Sequence, residues 1–212
     1  RIIFCNASTI GTTAILLNSR SERFPNGLGN DSGELGHNLM DHHYGMGASG
    51  VLPGFEDKYY SGRRPSGFYI PRFTNIDEET KQKDYLRGFG YQGSARRANN
   101  TPPGVVGKDL KDMIFQPGAW TINMTCFGEM LPYHENRMYL NFNKRDKNGM
   151  PVITFDAKLR ENEEKLRAHG VKCAVEMLEA AGCTNITYYN SATAPGACIH
   201  EMGKARMGHD PK

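Results

Sequence analysis

RMYLNFNKRDKNGMPVITFD, at residues 137–156, contains two strand-like runs joined by a turn signal. Arg137–Phe142 and Pro151–Phe155 carry aromatic and β-branched residues, and Asp146-Lys147-Asn148-Gly149 lies between them. A third alternating run covers Trp120–Met130. The three runs predict an antiparallel set of strands.

A long helix is predicted directly after this set. Asp156 fits an N-cap, and Gly182 fits the position just past the end of a helix over about 157–181. Gly170 is expected to weaken or bend this helix. One face of the helix is apolar, through Leu159, Leu166, Ala174, Leu178 and Ala181.

The N-terminal segment predicts a strand–turn–helix unit, as found in layered α/β domains. Ile2–Cys5 is a short apolar run, Asn6–Thr13 is rich in small hydroxyl residues, and Ala14–Leu17 is apolar again. The amides at such a helix start could face an anionic ligand, and an ordinary capped helix explains the pattern as well.

The middle of the chain predicts short strands separated by glycine and proline. The candidates are Tyr44–Val51, Gly67–Ile70 and Gly88–Gly93, and the aromatic residues here include Tyr59 and Tyr60. Arg96–Lys108, with Asn99-Asn100 and Pro102-Pro103, is expected to be a surface loop or lid. The fold class predicted from the whole pattern is α/β (α+β), with an antiparallel sheet flanked by helices.

Composition narrows the function classes. The chain has 212 residues, 38% hydrophobic and 23% charged, with a formal net charge of +3, which is typical of a globular protein. The basic residues are scattered, so we expect no nucleic-acid partner. No apolar run approaches about 18 residues, so we expect no membrane span. The five cysteines are far apart and predict a reduced protein, with one disulfide left open.

Both ends of the sequence are unusual. It opens inside an apolar run and stops at Asp210-Pro211-Lys212 without a closing element, so we expect a piece of a longer protein. Localisation therefore stays open between cytoplasm and periplasm.

The most informative segment for chemistry is His200-Glu201-Met202-Gly203-Lys204, which continues to Met207-Gly208. It starts like a zinc-protease H-E-x-x-H helix, but Lys204 replaces the second histidine, so that hypothesis fails. The glycines favour a tight loop, and a histidine held there could act as a general base. A purely structural histidine is the alternative. Three other histidines, His37, His134 and His169, lie in segments that we expect to be exposed.

Several segments together resemble the glucose-methanol-choline oxidoreductase family. In chain order they are a strand followed by Ala7-Ser8-Thr9 and a helix, Pro25–Asn30, Leu35-Gly36-x-Asn38-Leu39-Met40-Asp41-His42, Asn136–Leu140, Asp146 with Gly149-Met150-Pro151, and His200-x-x-Gly203-x-x-x-Met207-Gly208. Each motif is weak alone, but the ordered set is specific and spans nearly the whole chain.

The resemblance implies that the protein uses FAD to oxidise the CH–OH group of a sugar, sugar acid, polyol or other alcohol. It implies that His200 takes the hydroxyl proton. Ala7, Ser8 and Thr9, and Asn38, Asp41 and His42, would contact the cofactor. The family's N-terminal glycine loop and its second catalytic histidine or asparagine are expected outside this chain, and Lys204 stands where the family usually has threonine.

The resemblance also implies a division into domains. Residues 1–43 and 196–212 would belong to a partial FAD-binding domain, and residues 44–195 would form the substrate-binding domain. Glu129 in that domain could bind a sugar hydroxyl or be an ordinary surface carboxylate. His42-His43 could suggest a metal, but neighbouring residues rarely point the same way in a strand, so we expect none.

The alternative function is a noncatalytic carbohydrate-binding β-rich protein, whose aromatic residues would stack on sugar rings. A binding module has no reason to carry the ordered motif set, so the motifs favour the oxidoreductase.

Overall fold

The computed structural model describes residues 2–56, 67–97, 103–116 and 118–208. Within these ranges the helices are α1 (Ser8–Asn18), α2 (Gly107–Ile114) and α3 (Glu161–Ala180). The strands are β1 (His42–Leu52), β2 (Phe68–Ile70), β3 (Phe89–Arg97), β4 (Trp120–Glu129), β5 (Arg137–Arg145), β6 (Pro151–Asp156) and β7 (Thr184–Asn190). The aromatic pair Tyr59 and Tyr60, and Asn99-Asn100 of the expected lid, lie outside the described residues.

The chain divides into two compact units. Unit 1 comprises residues 1–43, 129–161 and 193–212, and unit 2 comprises residues 44–128 and 162–192. The N-terminal segment and the His200 segment thus belong to the same unit. The hairpin of β5 and β6 also lies in unit 1, although the sequence places it in the substrate-binding domain at 44–195.

Unit 2 is built on a five-stranded sheet with the order β2-β3-β4-β1-β7. Strand β3 pairs antiparallel with β4 over its whole length, from Phe89 opposite Gly128 to Arg97 opposite Trp120. Helix α3 packs on the sheet and closes a core that includes Met46, Phe89, Tyr91, Leu166 and Leu178. Alternate residues of each strand supply this core because successive side chains point to opposite faces.

Gly170 lies where α3 comes closest to the sheet. A Cβ atom at this position would lie 2.8 Å from Cys126 Sγ and 3.8 Å from Met46 Sδ. The helix runs through Gly170 without interruption, so the glycine permits close packing and does not end the helix.

Unit 1 contains the β5–β6 hairpin, with helix α1 packed against β5. The hairpin pairs Arg137 with Asp156 and Leu140 with Ile153. Its turn is fixed by Asp146, whose Oδ1 accepts hydrogen bonds from the amides of Asn148 at 2.8 Å and Met150 at 2.9 Å. This is the turn signal expected from Asp146–Gly149.

The fold class is confirmed: the structure has antiparallel sheets with flanking helices. Three details of the sequence prediction are wrong. Ile2–Cys5 forms no strand and is exposed, since no described strand lies beside it. Asp156 ends β6 and caps no helix, because α3 begins only at Glu161. Strand β4 pairs in the five-stranded sheet and not with β5 and β6, because turn chemistry fixes only local pairing.

Helix α2 and strand β7 were not predicted from the sequence. For β7 a signal exists, since Ile186, Thr187 and the tyrosines that follow are β-formers placed directly after Gly182. Helix α2 begins in the last two residues of the segment expected to be a lid. A signal for it exists as well, since Leu110, Met113 and Ile114 have the i, i+3, i+4 spacing of one helix face.

The spacing G-x-G-x-x-G occurs twice, at Gly45–Gly50 and Gly88–Gly93. Both occurrences lie in or beside antiparallel strands, β1 and β3, whereas a dinucleotide-binding loop joins a strand to a helix. At Gly47 a Cβ atom would lie 2.0 Å from the Met124 carbonyl oxygen. In this strand glycine therefore serves close strand packing and not phosphate binding.

Candidate functional site: the His200 loop

His200 lies on an irregular segment that is anchored in unit 1. Residues 191–208 contain no helix, and their one described strand-type contact is an isolated antiparallel bridge between Met40 and Met202. In this bridge each amide donates to the other residue's carbonyl at 3.0 Å. The segment before β1 and the segment after His200 are thereby joined side by side.

Gly203 makes the second close contact between these segments. Its φ is +100°, and a Cβ atom there would lie 1.9 Å from the Asn38 carbonyl oxygen. The Gly36 amide donates to the Lys204 carbonyl at 2.8 Å. A side chain at position 203 would push these backbones apart, so the glycine of the His200-x-x-Gly203 pattern is required by the packing.

Asp41 anchors the loop by accepting hydrogen bonds from its backbone amides. Its carboxylate is buried, with 4% of the residue surface exposed. Oδ2 accepts hydrogen bonds from the amides of Gly196 at 3.1 Å and Cys198 at 2.9 Å, and Oδ1 accepts from the His200 amide at 3.2 Å. Oδ1 also accepts from the amide of His42 at 2.7 Å.

The His200 imidazole is exposed and lies beside His42. The two ring centroids are 5.0 Å apart at an interplanar angle of 80°, an edge-to-face contact. Exposed apolar side chains flank His200 on the same loop, namely Ile199, Met202 and Met207. The loop therefore presents one imidazole in an apolar setting.

Lys204 points into the protein. Its relative exposure is 0%, and its Nζ has no hydrogen-bond partner among the described residues. Burial lowers the pKa of Lys204, and the negative charges of Glu201 and Asp41 oppose this shift. The enclosure of Lys204 is not indicated by its charged side chain, since lysine is almost never fully buried in proteins.

The other residues predicted for the site lie in several places. Asn38 is buried beside the loop, with Nδ2 donating to Glu34 Oε2 at 3.1 Å. Ala7, Ser8 and Thr9 stand at the start of α1, where no side chain caps the helix. None of these three makes a hydrogen bond to the His200 loop within the described part of the chain.

Glu129 is half-buried at the end of β4, and its carbonyl oxygen lies 3.3 Å from His43 Nε2. Its predicted contact with a substrate hydroxyl stays a prediction. The contact of Asp41 with residues 196–200 was missed by sequence reasoning because it joins positions more than 150 residues apart.

The described residues also include potential metal ligands and cysteine thiols. No three His, Cys, Asp or Glu side chains gather as a metal site in the ranges that the structure describes. None of the five cysteines forms a disulfide, and four of them are buried. Burial raises the pKa of the Cys126 thiol to about 12, which disfavours its reactive thiolate form. Among the described helices, none has the length and apolar character for crossing a bilayer.

Comparison with known proteins gives relatives that align along the chain. It is 29% identical to a 2-methyl-1,2-propanediol dehydrogenase of Mycolicibacterium austroafricanum, covering 100% of this chain and 39% of the relative. It is 28% identical to the fructose dehydrogenase large subunit of Gluconobacter japonicus, covering 97% and 37%. It is 25% identical to a paromamine 6'-oxidase of Streptomyces fradiae, covering 99% and 36%.

The chain thus spans under two fifths of the length of these curated relatives. Residues 132–212, which include the β5–β6 hairpin and the whole His200 loop, match the family model of the GMC oxidoreductases. The chain is thus similar to GMC oxidoreductases, through the family match over residues 132–212 and through relatives that align along nearly its whole length.

Proposed function

We propose that the protein is an FAD-dependent oxidoreductase that oxidises the CH–OH group of a sugar, sugar acid, polyol or other alcohol. The observation that carries this proposal is the exposed imidazole of His200 on a loop anchored to the Leu39–His42 segment. The relatives add support, since their names include dehydrogenases of a diol and of fructose and an oxidase of paromamine.

The residues around His200 fit a flavin. An isoalloxazine ring is flat, with an apolar dimethylbenzene end that can pack on exposed apolar side chains. Ile199 and Met202 provide such surface on either side of His200. His42 would line the same site through its contact with His200. The open amides at the start of α1, at Ser8 and Thr9, suit an anionic part of the cofactor.

A bound flavin supplies the acceptor for the hydride that leaves the alcohol carbon. His200 takes the hydroxyl proton, which makes the hydride a better leaving group. Its exposed ring can reach a substrate, while its backbone is fixed by the Asp41 carboxylate. Asn38, whose side chain donates to Glu34, lies beside this segment, and Glu129 is proposed to bind a substrate hydroxyl.

The test uses the complete reading frame that contains this chain. The parent and the His200→Ala variant are purified, their FAD content is measured, and flavin reduction is followed by anaerobic stopped flow. The substrates are fructose and 2-methyl-1,2-propanediol. We expect His200→Ala to keep its FAD and to reduce it about 10²–10⁴-fold more slowly, the usual contribution of a positioned proton acceptor.

His134→Ala is the matched control, since His134 is an exposed histidine of the same unit. We expect this control to reduce its flavin at the parental rate. Parental reduction by His200→Ala would show that His200 is only a structural residue of its loop.

A feature of unit 2 favours carbohydrate binding as a second candidate function. A cleft of about 550 Å³ is lined by Phe68, Tyr69, Gln92, Ser94 and Asn123, together with Gly67 and Gly93. Tyr69 is 65% exposed, so its ring could stack on a sugar. Titration calorimetry with fructose tests this candidate: a noncatalytic module would bind the sugar, lose binding in Tyr69→Ala, and show no flavin reduction in the complete protein.

A further inference from the structure

The carboxylate of Asp41 is saturated by backbone amides. A carboxylate offers about four lone-pair sites. In the structure these sites receive the amides of Gly196, Cys198, His200 and His42, at 2.7–3.2 Å. Hydrogen bonds from neutral donors to an ionised acceptor are about twice as strong as neutral ones. The acceptor sites of Asp41 are therefore occupied by backbone amides, most of them from the loop.

Two further contacts within residues 193–200 join residues that are close along the chain. Ala197 donates to the Ala194 carbonyl at 3.3 Å, and the Thr193 hydroxyl lies 3.8 Å from Cys198 Sγ. Regular secondary structure is absent from residues 191–200, all of which the structure describes. The amides of three alternate residues, 196, 198 and 200, instead converge on one side chain.

The same carboxylate connects both partners of the ring contact. Oδ1 accepts from the backbone of His200 and from the backbone of His42, and the two imidazoles meet at 5.0 Å. Loss of the Asp41 carboxylate would leave the backbone amides of both His200 and His42 without this acceptor. By contrast, the Met40–Met202 bridge joins the residue before Asp41 to the chain two residues after His200 and contacts neither imidazole directly.

We infer that Asp41 is a positioning residue, which sets the place of the His200 imidazole through the backbone and makes no contact of its own with substrate or cofactor. The inference rests on the proposed function, in which His200 accepts the proton. It differs from the cofactor contact that the family resemblance implies for Asp41.

Asp41→Asn tests the inference in the complete protein. The amide side chain retains one acceptor oxygen and turns an NH₂ donor toward amides that are donors themselves. Displacement of a reacting group by about 1 Å can cost about 10²-fold in rate. We expect the limiting rate of flavin reduction to fall by about 10²-fold, with FAD content unchanged and the half-saturating substrate concentration within about threefold of the parent.

A second readout does not depend on activity. Cys198 is buried and its amide is bound by Asp41, so release of the loop exposes both thiol and amide. We expect faster hydrogen exchange in peptides covering residues 193–208 and faster alkylation of Cys198, both located by mass spectrometry.

Asp146→Asn is the matched control. Asp146 also accepts backbone amides in unit 1, but it fixes the β5–β6 turn. We expect this variant to keep the parental reduction rate and the parental exchange of residues 193–208. If Asp146→Asn slows reduction as much as Asp41→Asn does, the effect is general instability and the inference is wrong.

If Asp41→Asn cannot be purified with FAD bound, Asp41→Glu tests the inference instead. It keeps the charge but moves the oxygens by one methylene group, and we expect reduction at least about tenfold slower. The inference is wrong if the variant that can be purified reduces its flavin at the parental rate. It is also wrong if hydrogen exchange at residues 193–208 is unchanged in that variant. The parent is measured first: if neither alcohol reduces its flavin, the proposed function fails, and the exchange and alkylation readouts still decide whether Asp41 holds the loop.

Discussion

Single side chains near His200 show how burial changes their chemistry. Asp41 is buried with every acceptor site used, whereas Lys204 is buried with an amino group that has no hydrogen-bond partner among the described residues. A buried polar group without a partner costs free energy, and a buried charge costs more. The two residues therefore act oppositely on the stability of the loop: Asp41 stabilises it and Lys204 destabilises it.

Lys204→Met is expected to stabilise the protein by about 1–3 kcal/mol, because methionine fills a similar volume without the amino group. The measurement is the free energy of unfolding in urea at neutral pH. Lys172→Met is the control, since Lys172 is exposed and pairs only with Glu176 on the helix surface. A loss of stability in Lys204→Met would show that the amine has a favourable role.

The buried Lys204 predicts that the free energy of unfolding depends on pH. Burial lowers the pKa of Lys204 in the folded protein below the unfolded value of about 10.4. The stability contributed by this group is therefore fully present above about pH 10.4 and is lost as the pH falls through the folded pKa. We expect the unfolding free energy of the parent to rise with pH in this window more steeply than that of Lys204→Met. If the unfolding free energy depends equally on pH in the parent and in Lys204→Met, Lys204 is not the group responsible.

At the scale of elements, helix α3 contacts the rest of unit 2 through two neighbouring positions. Gly170 permits the close approach to Cys126, and the neighbouring His169 Nδ1 lies 2.8 Å from the Tyr85 hydroxyl. His134 is exposed as expected from the sequence, but His37 and His169 are half-buried. For these two the expectation of exposure is wrong, because packing against other segments is not visible in local polarity.

Gly170→Ala is expected to destabilise the protein although alanine is the better helix former. The new Cβ would meet Cys126 Sγ at 2.8 Å, and overpacking costs about 1–3 kcal/mol against about 1 kcal/mol of gained helix propensity. Urea unfolding of Gly170→Ala, Cys126→Ala and the double variant checks this. In the Cys126→Ala background the Gly170→Ala change should become neutral or stabilising. A stabilising effect in the parent background would refute the packing argument.

His169 should make α3 sensitive to acid. Burial lowers its pKa below the ordinary value, and the charge of Lys172 lowers it further. The stability contributed by neutral His169 is present above the unfolded pKa of about 6.5 and is lost as the pH falls through the folded pKa. We expect His169→Gln, which can keep a hydrogen bond to Tyr85, to lose less stability on acidification than the parent. His134→Gln should behave as the parent does.

At the scale of the whole molecule, the similarity to GMC oxidoreductases and the length of the relatives bear on cofactor binding. The relatives are more than twice as long as this chain, and its own G-x-G-x-x-G spacings lie with antiparallel strands. A flavin pyrophosphate is bound by a glycine loop and the N-terminus of the helix that follows it. The described residues offer the His200 loop but no such strand–glycine–helix unit.

We therefore expect the protein from the complete reading frame to purify with FAD, and the 212-residue chain alone to purify without it. The measurement is the flavin absorbance relative to protein after gel filtration, with FAD added before the column. Stoichiometric flavin on the 212-residue chain would contradict this prediction. Circular dichroism of that chain is the control that it has folded.

The sequence by itself determined the elements whose signals are local. Strands β1, β4, β5 and β6, the Asp146 turn and most of α3 follow from alternation, turn residues and apolar period. The ordered motifs indicated the resemblance to the GMC oxidoreductases, whose family model matches residues 132–212. Only the tertiary structure decided the sheet to which β4 belongs, the enclosure of Lys204, and the meeting of Asp41 with the amides of residues 196–200. The physical reason is that local signals act through neighbours along the chain. Burial and hydrogen-bond partners depend on segments that are distant in sequence and that only folding brings together.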